Sequence, residues 1–167
     1  MPHGHPRGRT DTASHVVKAP AQAVYRAFVE PEAWVAWIPP GDMRGELSRF
    51  EPHPGGHYRM VLRYPSSTEH PVGKSSSHED IVEGEFVDLV PGERVVQRVT
   101  FVSEDPRHAG VMTMTWALAP TEGGTRVTIT CEDVPVGISA QDHDVGLRAS
   151  LANLAAYVEG RATPSRT

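Results

Sequence analysis

The stretch Ser139–Gly160, SAQDHDVGLRASLANLAAYVEG, decides how the rest of the chain must be arranged around it. Ser139 followed by Asp142 suits a capping box, and Gly160 is a natural stop, so the spacing predicts a helix from Ala140 to about Glu159. At about 100° per residue, Leu147, Leu151, Leu154 and Val158 fall on one line, and Val145, Ala149, Ala152 and Ala156 fall on the opposite one. A helix apolar on two opposite sides is expected to be enclosed. Two arrangements satisfy this pattern. The helix packs between ordinary elements, or it is held inside a curved antiparallel sheet, where alanines leave either close backbone approach or an internal space.

Upstream of this helix the hydrophobic period changes to two. Ser14–Lys18 reads as a first strand, stopped by Ala19-Pro20, after which Ala23, Val24, Ala27 and Phe28 share one face of a short helix. Pro31-Glu32 opens a second short helix over Ala33–Ile38, closed by Pro39-Pro40-Gly41. Glu46–Phe50, His57–Tyr64, Glu79–Leu89, Arg94–Val102, Val111–Ala119 and Thr125–Val134 then read as strands. Pro91-Gly92 and Glu122-Gly123-Gly124 join the last four into two hairpins. Hairpin-linked strands with segregated helices imply an α+β fold built on an antiparallel sheet. Met1–Thr12 and Arg161–Thr167 show no hydrophobic period and are expected to be flexible arms around one domain, residues 13–160; Pro65–Ser77 is a polar loop without pattern.

Composition narrows the function. Sixteen Lys and Arg against 21 Asp and Glu give a net charge of −5, which argues against a nucleic-acid-backbone binder. The single cysteine, Cys131, allows no intrachain disulfide and no multi-cysteine metal site. Apolar runs stop at the six residues Ala33–Ile38, far short of a membrane span or signal-peptide core, so a cytoplasmic address is the default expectation.

The order of elements, with the residues that punctuate it, resembles the START-like helix-grip (SRPBCC) superfamily. Within it, the chain is most similar to bacterial homologues of the C-terminal domain of the heat-shock-protein-90 ATPase activator. The resemblance rests on Ala19-Pro20 leading to Val24–Phe28, on Pro31-Glu32 with Trp37-Ile38-Pro39, and on Pro54–Met60. It continues through Gly84–Pro91 with Arg94-Val95-Val96, Thr115–Leu118 before Gly123–Thr128, and Gly146, Ser150-Leu151, Leu154 and Tyr157-Val158. It covers roughly Thr12 to Gly160. Leu147 departs from it, since many relatives carry Trp there, and so does the polar insertion Ser66–Ser77. The resemblance implies a helix-grip fold: a curved antiparallel sheet of about seven strands around the last helix, two short helices after the first strand, and an apolar cavity inside. Superfamily members hold lipids, sterols, polyketides and plant hormones in that cavity, and a few perform chemistry there.

Given such a cavity, strand alternation nominates its walls. Tyr58, Met60, Leu62 and Tyr64 share one face of their strand, and Met112, Met114, Trp116 and Leu118 share one face of theirs. Methionine and aromatic side chains adapt to irregular ligands, and they also fill ordinary cores. Trp34 and Trp37 stand near the expected cavity mouth; Trp37, which equally suits anchoring its short helix to the sheet, joins Tyr58, Met60, Leu62, Met112, Met114 and Trp116 as an expected ligand contact, with Ala149, Ala152 and Asn153 facing them from the helix. Glu83 and Glu85 lie on the face of their strand opposite Phe86. Since Phe86 demands burial, that face is expected to be the outer one; were it the inner one, a raised-pKa acid would result. Arg98 on the next strand is a candidate to neutralise such a carboxylate or grip an anionic ligand.

Nine histidines do not converge by spacing: His53 and His57 flank a turn, and His70 and His78 lie in the irregular loop, so no metal site is expected. Cys131, in phase with Val127 and Ile129, reads as a small buried hydrophobe. No nucleophile elbow, phosphate loop or dinucleotide fingerprint is present, and no cofactor is expected. The leading expectation is a non-catalytic binder of a small hydrophobic or amphipathic molecule. The alternatives are a cyclase, hydrolase or isomerase using Glu83 or Glu85 with Arg98 or a tyrosine, and a co-chaperone-like interaction module. The acidic surface permits a homodimer or a chaperone partner without indicating either.

Overall fold

Alternating strands that follow one another through tight turns pair with their neighbours, and one antiparallel sheet results. The computed structural model describes residues 9–39, 43–63, 79–101 and 110–162. Its elements are β1 (Arg9–Val17), α1 (Ala21–Val29), α2 (Pro31–Trp37), β2 (Arg44–Phe50), β3 (His57–Arg63), β4 (Glu79–Val90), β5 (Arg94–Phe101), β6 (Met112–Thr121), β7 (Gly124–Val134) and α3 (Ala140–Ala162). The seven strands form a single curved antiparallel sheet in the order β1-β7-β6-β5-β4-β3-β2. Beyond the hairpins, β1 returns to pair with β7. All three helices pack on the face that carries the apolar rows. The α+β class, the strand number and the two short helices after β1 are as expected from the sequence.

Register fixes which side chains point inward. Tyr58 and Met60 of β3 lie opposite Gly84 and Val82 of β4; Gly84 lies opposite Val99 of β5, which in turn faces Met112 of β6. Trp116 of β6 continues this row to Ile129 of β7, and Ile129 to Ala13 of β1. The same phase sends Glu83 and Glu85 to the outer face, as Phe86 required.

The two short helices are pinned by indole hydrogen bonds. The last carbonyls of α1 have no partner within their helix. Trp34 Nε1 donates to Phe28 O at 2.7 Å, and Trp37 Nε1 donates to Ala27 O at 2.9 Å. Trp37 then packs edge-on against Phe28 and Trp116, with ring centroids 5.2 and 5.6 Å apart.

Two boundaries differ from the sequence reading. The first strand begins at Arg9 and not at Ser14, so Arg9–Thr12 belongs to the sheet. Helix α3 runs through Gly160 to Ala162. A larger difference concerns its faces. Leu147, Leu151, Leu154, Ala155 and Val158 are buried, whereas Val145 is 64% exposed and Ala149, Ala152 and Ala156 face solvent. The helix is therefore covered on one side only. A methyl group offers little area to bury, so an alanine stripe does not demand cover as a leucine stripe does. The Pro65–Ser77 loop, Tyr64, His70 and His78 lie outside the described residues.

Candidate functional site

Between the inner face of the sheet and the helices lies a cavity of about 280 Å³. Its floor is the sheet: Tyr58, Met60 and Leu62 from β3, Asp80 and Val82 from β4, Gln97 and Val99 from β5, and Met112, Met114 and Trp116 from β6. Trp34 and Ile38 close it from α2, and His143, Gly146, Leu147 and Ser150 close it from α3. Most of this lining is apolar, and Asp80, Gln97, His143 and Ser150 supply the polar points.

Six of the expected contacts come together here: Tyr58, Met60, Leu62, Met112, Met114 and Trp116. The other five do not. Trp37 is 1% exposed and spends its ring on Phe28 and Trp116, so the neighbouring Trp34 takes the place at the wall. Arg98 points outward, its side chain 58% exposed and 3.9 Å from Glu85. Ala149 and Ala152 sit on the solvent side of α3, and Asn153 is half-buried away from the lining.

On the outer face, Arg59 pairs with Glu83 at 3.1 Å and Arg49 with Glu51 at 3.2 Å, along a groove of about 490 Å³ that also includes Glu85 and Arg98. Exposed pairs of this kind are solvated surface chemistry. A mechanism built on Glu83 or Glu85 as a buried acid therefore has no support in the cavity.

The sequence reading passed over Asp80, Gln97 and His143, and preferred Trp37 to Trp34. A signal was present for two of them. Asp80 is in phase with Val82, Gly84 and Phe86, and His143 stands one turn before Leu147 on the leucine line. Both are polar residues in register with a buried row, and Asp80 is only 4% exposed.

Local electrostatics follow from burial. The Tyr58 hydroxyl is pushed well above its ordinary range because the residue is enclosed. Burial, assisted by the charge of Asp11, pushes the Cys131 thiol up to about 12, which keeps it protonated and inert. Gln97 is buried and accepts from Trp116 Nε1 at 3.1 Å, which satisfies both groups. Asp11 of β1, almost buried, contacts His143 Nδ1 at 2.6 Å. Among the described residues no group of three His, Cys, Asp or Glu is placed to hold a metal. His53 and His57 are exposed at the β2–β3 turn. No described helix is long and apolar enough to cross a membrane.

Residues 18–159, almost the whole described fold, match the family model of the activator of Hsp90 ATPase homolog 1-like proteins. The chain belongs to this family. Its solved relatives include a protein from Chromobacterium violaceum, 30% identical, superposing with a TM-score of 0.76 over 90% of this chain and 98% of that one. A protein from Rhodobacter sphaeroides, 18% identical, gives a TM-score of 0.73 over 92% and 95% of the two chains. A third, from Staphylococcus epidermidis, gives 0.71 at 16% identity over 98% and 97%. The last two show likeness of fold alone. No curated protein matches the chain. As a member of this family, the chain carries the family's fold with its own cavity lining, and function must be argued from that lining.

Proposed function

We propose that this protein binds a small hydrophobic or amphipathic molecule in the cavity between the sheet and α3. One observation carries the reading: a space of about 280 Å³ whose walls combine methionine and aromatic side chains with a few fixed polar groups. Apolar cavities of about 150 Å³ hold benzene, so this one suits a molecule of one or two rings or a medium-length chain. Methionines at positions 60, 112 and 114 can adjust to irregular shapes without rebuilding the sheet.

Thermal-shift screening against small aromatics, fatty chains and polyketide-like compounds, followed by native mass spectrometry of the hits, tests this reading. A ligand at 100 times its Kd adds about 2.7 kcal/mol, which in a domain of this size raises Tm by about 5–10 °C. A 1:1 adduct with such a shift supports the proposal. Uniform absence of shifts and adducts across the panel contradicts it.

A further inference from the structure

The cavity has a polar end that is organised more tightly than packing requires. Arg9 pairs with Val134 across the β1–β7 ladder, while Asp11 pairs with Cys131, so two steps on β1 oppose three on β7. The extra residue makes a bulge at which Asp133 adopts a φ of 61°, a left-handed conformation that aspartate tolerates better than most residues. Beside this bulge, Arg9 Nε donates to both oxygens of Asp11, at 2.9 and 3.0 Å, and Arg9 Nη2 donates to the Ile138 carbonyl just before α3. Asp11 Oδ2 then meets His143 Nδ1 at 2.6 Å, in the first turn of α3.

This arrangement fixes which ring nitrogen of His143 faces Asp11 with a hydrogen. Hydrogen bonding from Arg9, and secondarily from His143, holds the Asp11 carboxyl below its ordinary range against the opposing effect of burial. An ionised carboxylate can only accept, so the hydrogen between the two residues sits on Nδ1. The nitrogen left for a ligand is Nε2, on a ring that lines the cavity.

The charges nearby define what that nitrogen favours. Arg9 and Asp11 cancel, and Cys131 on β7 is a neutral thiol. On α3 itself, Asp144 is engaged outward with Arg148, and Asp142 is exposed in the capping turn, where its backbone N–H donates to Ser139 Oγ. Asp80 lines the same cavity from β4, which three strands, β7, β6 and β5, separate from β1. With Asp11 neutralised by Arg9, no net negative charge stands beside the imidazole, and the amides of the first turn of α3 add a partial positive charge there. That charge matches a single anionic head whose tail lies along Met112, Met114 and Leu147.

We propose that His143, oriented by Asp11, is the head-group site of the cavity, and that the ligand is an amphipathic monocarboxylic acid whose carboxylate lies against the imidazole. The inference rests on the cavity reading above. A neutral alcohol of equal length gains only an ordinary hydrogen bond at Nε2, whereas the carboxylate gains a charge-assisted one.

Isothermal titration calorimetry of the full chain with octanoate and with 1-octanol, at pH 7.5, tests both levels separately. Octanoate is expected to bind at least about 10-fold more tightly than octanol. His143→Gln and Asp11→Asn are expected to weaken octanoate by about 10- to 100-fold and octanol by much less, in line with the loss of one ordinary hydrogen bond. Equal affinity for the two probes, or octanoate binding that His143→Gln leaves unchanged, overturns the head-group assignment and leaves the cavity reading standing. Failure of both probes to bind overturns the two together.

Discussion

Replacing Gly84 with alanine places the new methyl group where the Tyr58 ring already lies. The added Cβ falls 2.2 Å from Tyr58 Cζ and 2.3 Å from its hydroxyl oxygen. The two residues are directly opposed across β3 and β4, so the ring of one covers the bare backbone of the other. Tyr58 has little freedom to retreat, because its ring centroid is 4.7 Å from that of Trp34 and 5.2 Å from that of Phe86. Overpacking of this kind costs about 1–3 kcal/mol, and the rigidity of the aromatic cluster places Gly84→Ala in the upper half of that range. In a domain of this size, 2–3 kcal/mol corresponds to a fall in Tm of about 4–12 °C. Urea denaturation followed by tryptophan fluorescence measures it, with a lower midpoint and an unchanged slope expected. Adding Tyr58→Ala removes the obstacle, so the double variant should be less destabilised than the sum of its two singles. A Gly84→Ala protein within about 0.5 kcal/mol of the parent, or strict additivity in the double variant, refutes the reasoning.

Three further outcomes are expected. Cys131, fully buried and with its thiol pushed up to about 12, should resist Ellman's reagent at pH 8 in the native protein and react as one thiol after denaturation; rapid native reaction contradicts its burial. Asp11 has its pKa lowered in the folded state, so its contribution is present above the ordinary value of 3.8 and is lost as pH falls through the lower folded value. The stability gap between the parent and Asp11→Asn should therefore be full at pH 6 and close towards pH 2.5, and a gap independent of pH refutes this. Arg98→Ala removes an exposed ion pair and should change stability by no more than about 1 kcal/mol, with binding of cavity probes unchanged; loss of binding would restore Arg98 to the site.

The strands were legible because period-two patterning survives in β3, β6 and β7, where one face is buried and the other wet. The outward facing of Glu83 and Glu85 followed from the demand of Phe86 for burial, and the leucine line of α3 gave its buried face. Two things were not legible. The alanine stripe of α3 looked like a second buried face because a pattern counts alanine as apolar, although its burial yields little. The exchange of roles between Trp34 and Trp37 depends on which indole reaches which carbonyl of α1, and that is a tertiary relation between helices. Asp80 and His143 stood in phase with buried rows, but an isolated polar residue in such a row declares nothing until the opposing wall is known. For His143 the opposing group is Asp11, 132 residues earlier.

The central claim is that the space under α3 receives a ligand, and the methionines report on it most directly. Met60, Met112 and Met114 line the cavity, whereas Met43 packs elsewhere against the core. Titration of ¹³C-methyl-methionine protein with 1-octanol should shift the signals of Met60, Met112 and Met114 together, saturably, with Met43 unmoved. Signals that stay fixed at saturating probe, or that move at Met43 and not at these three, would contradict the account.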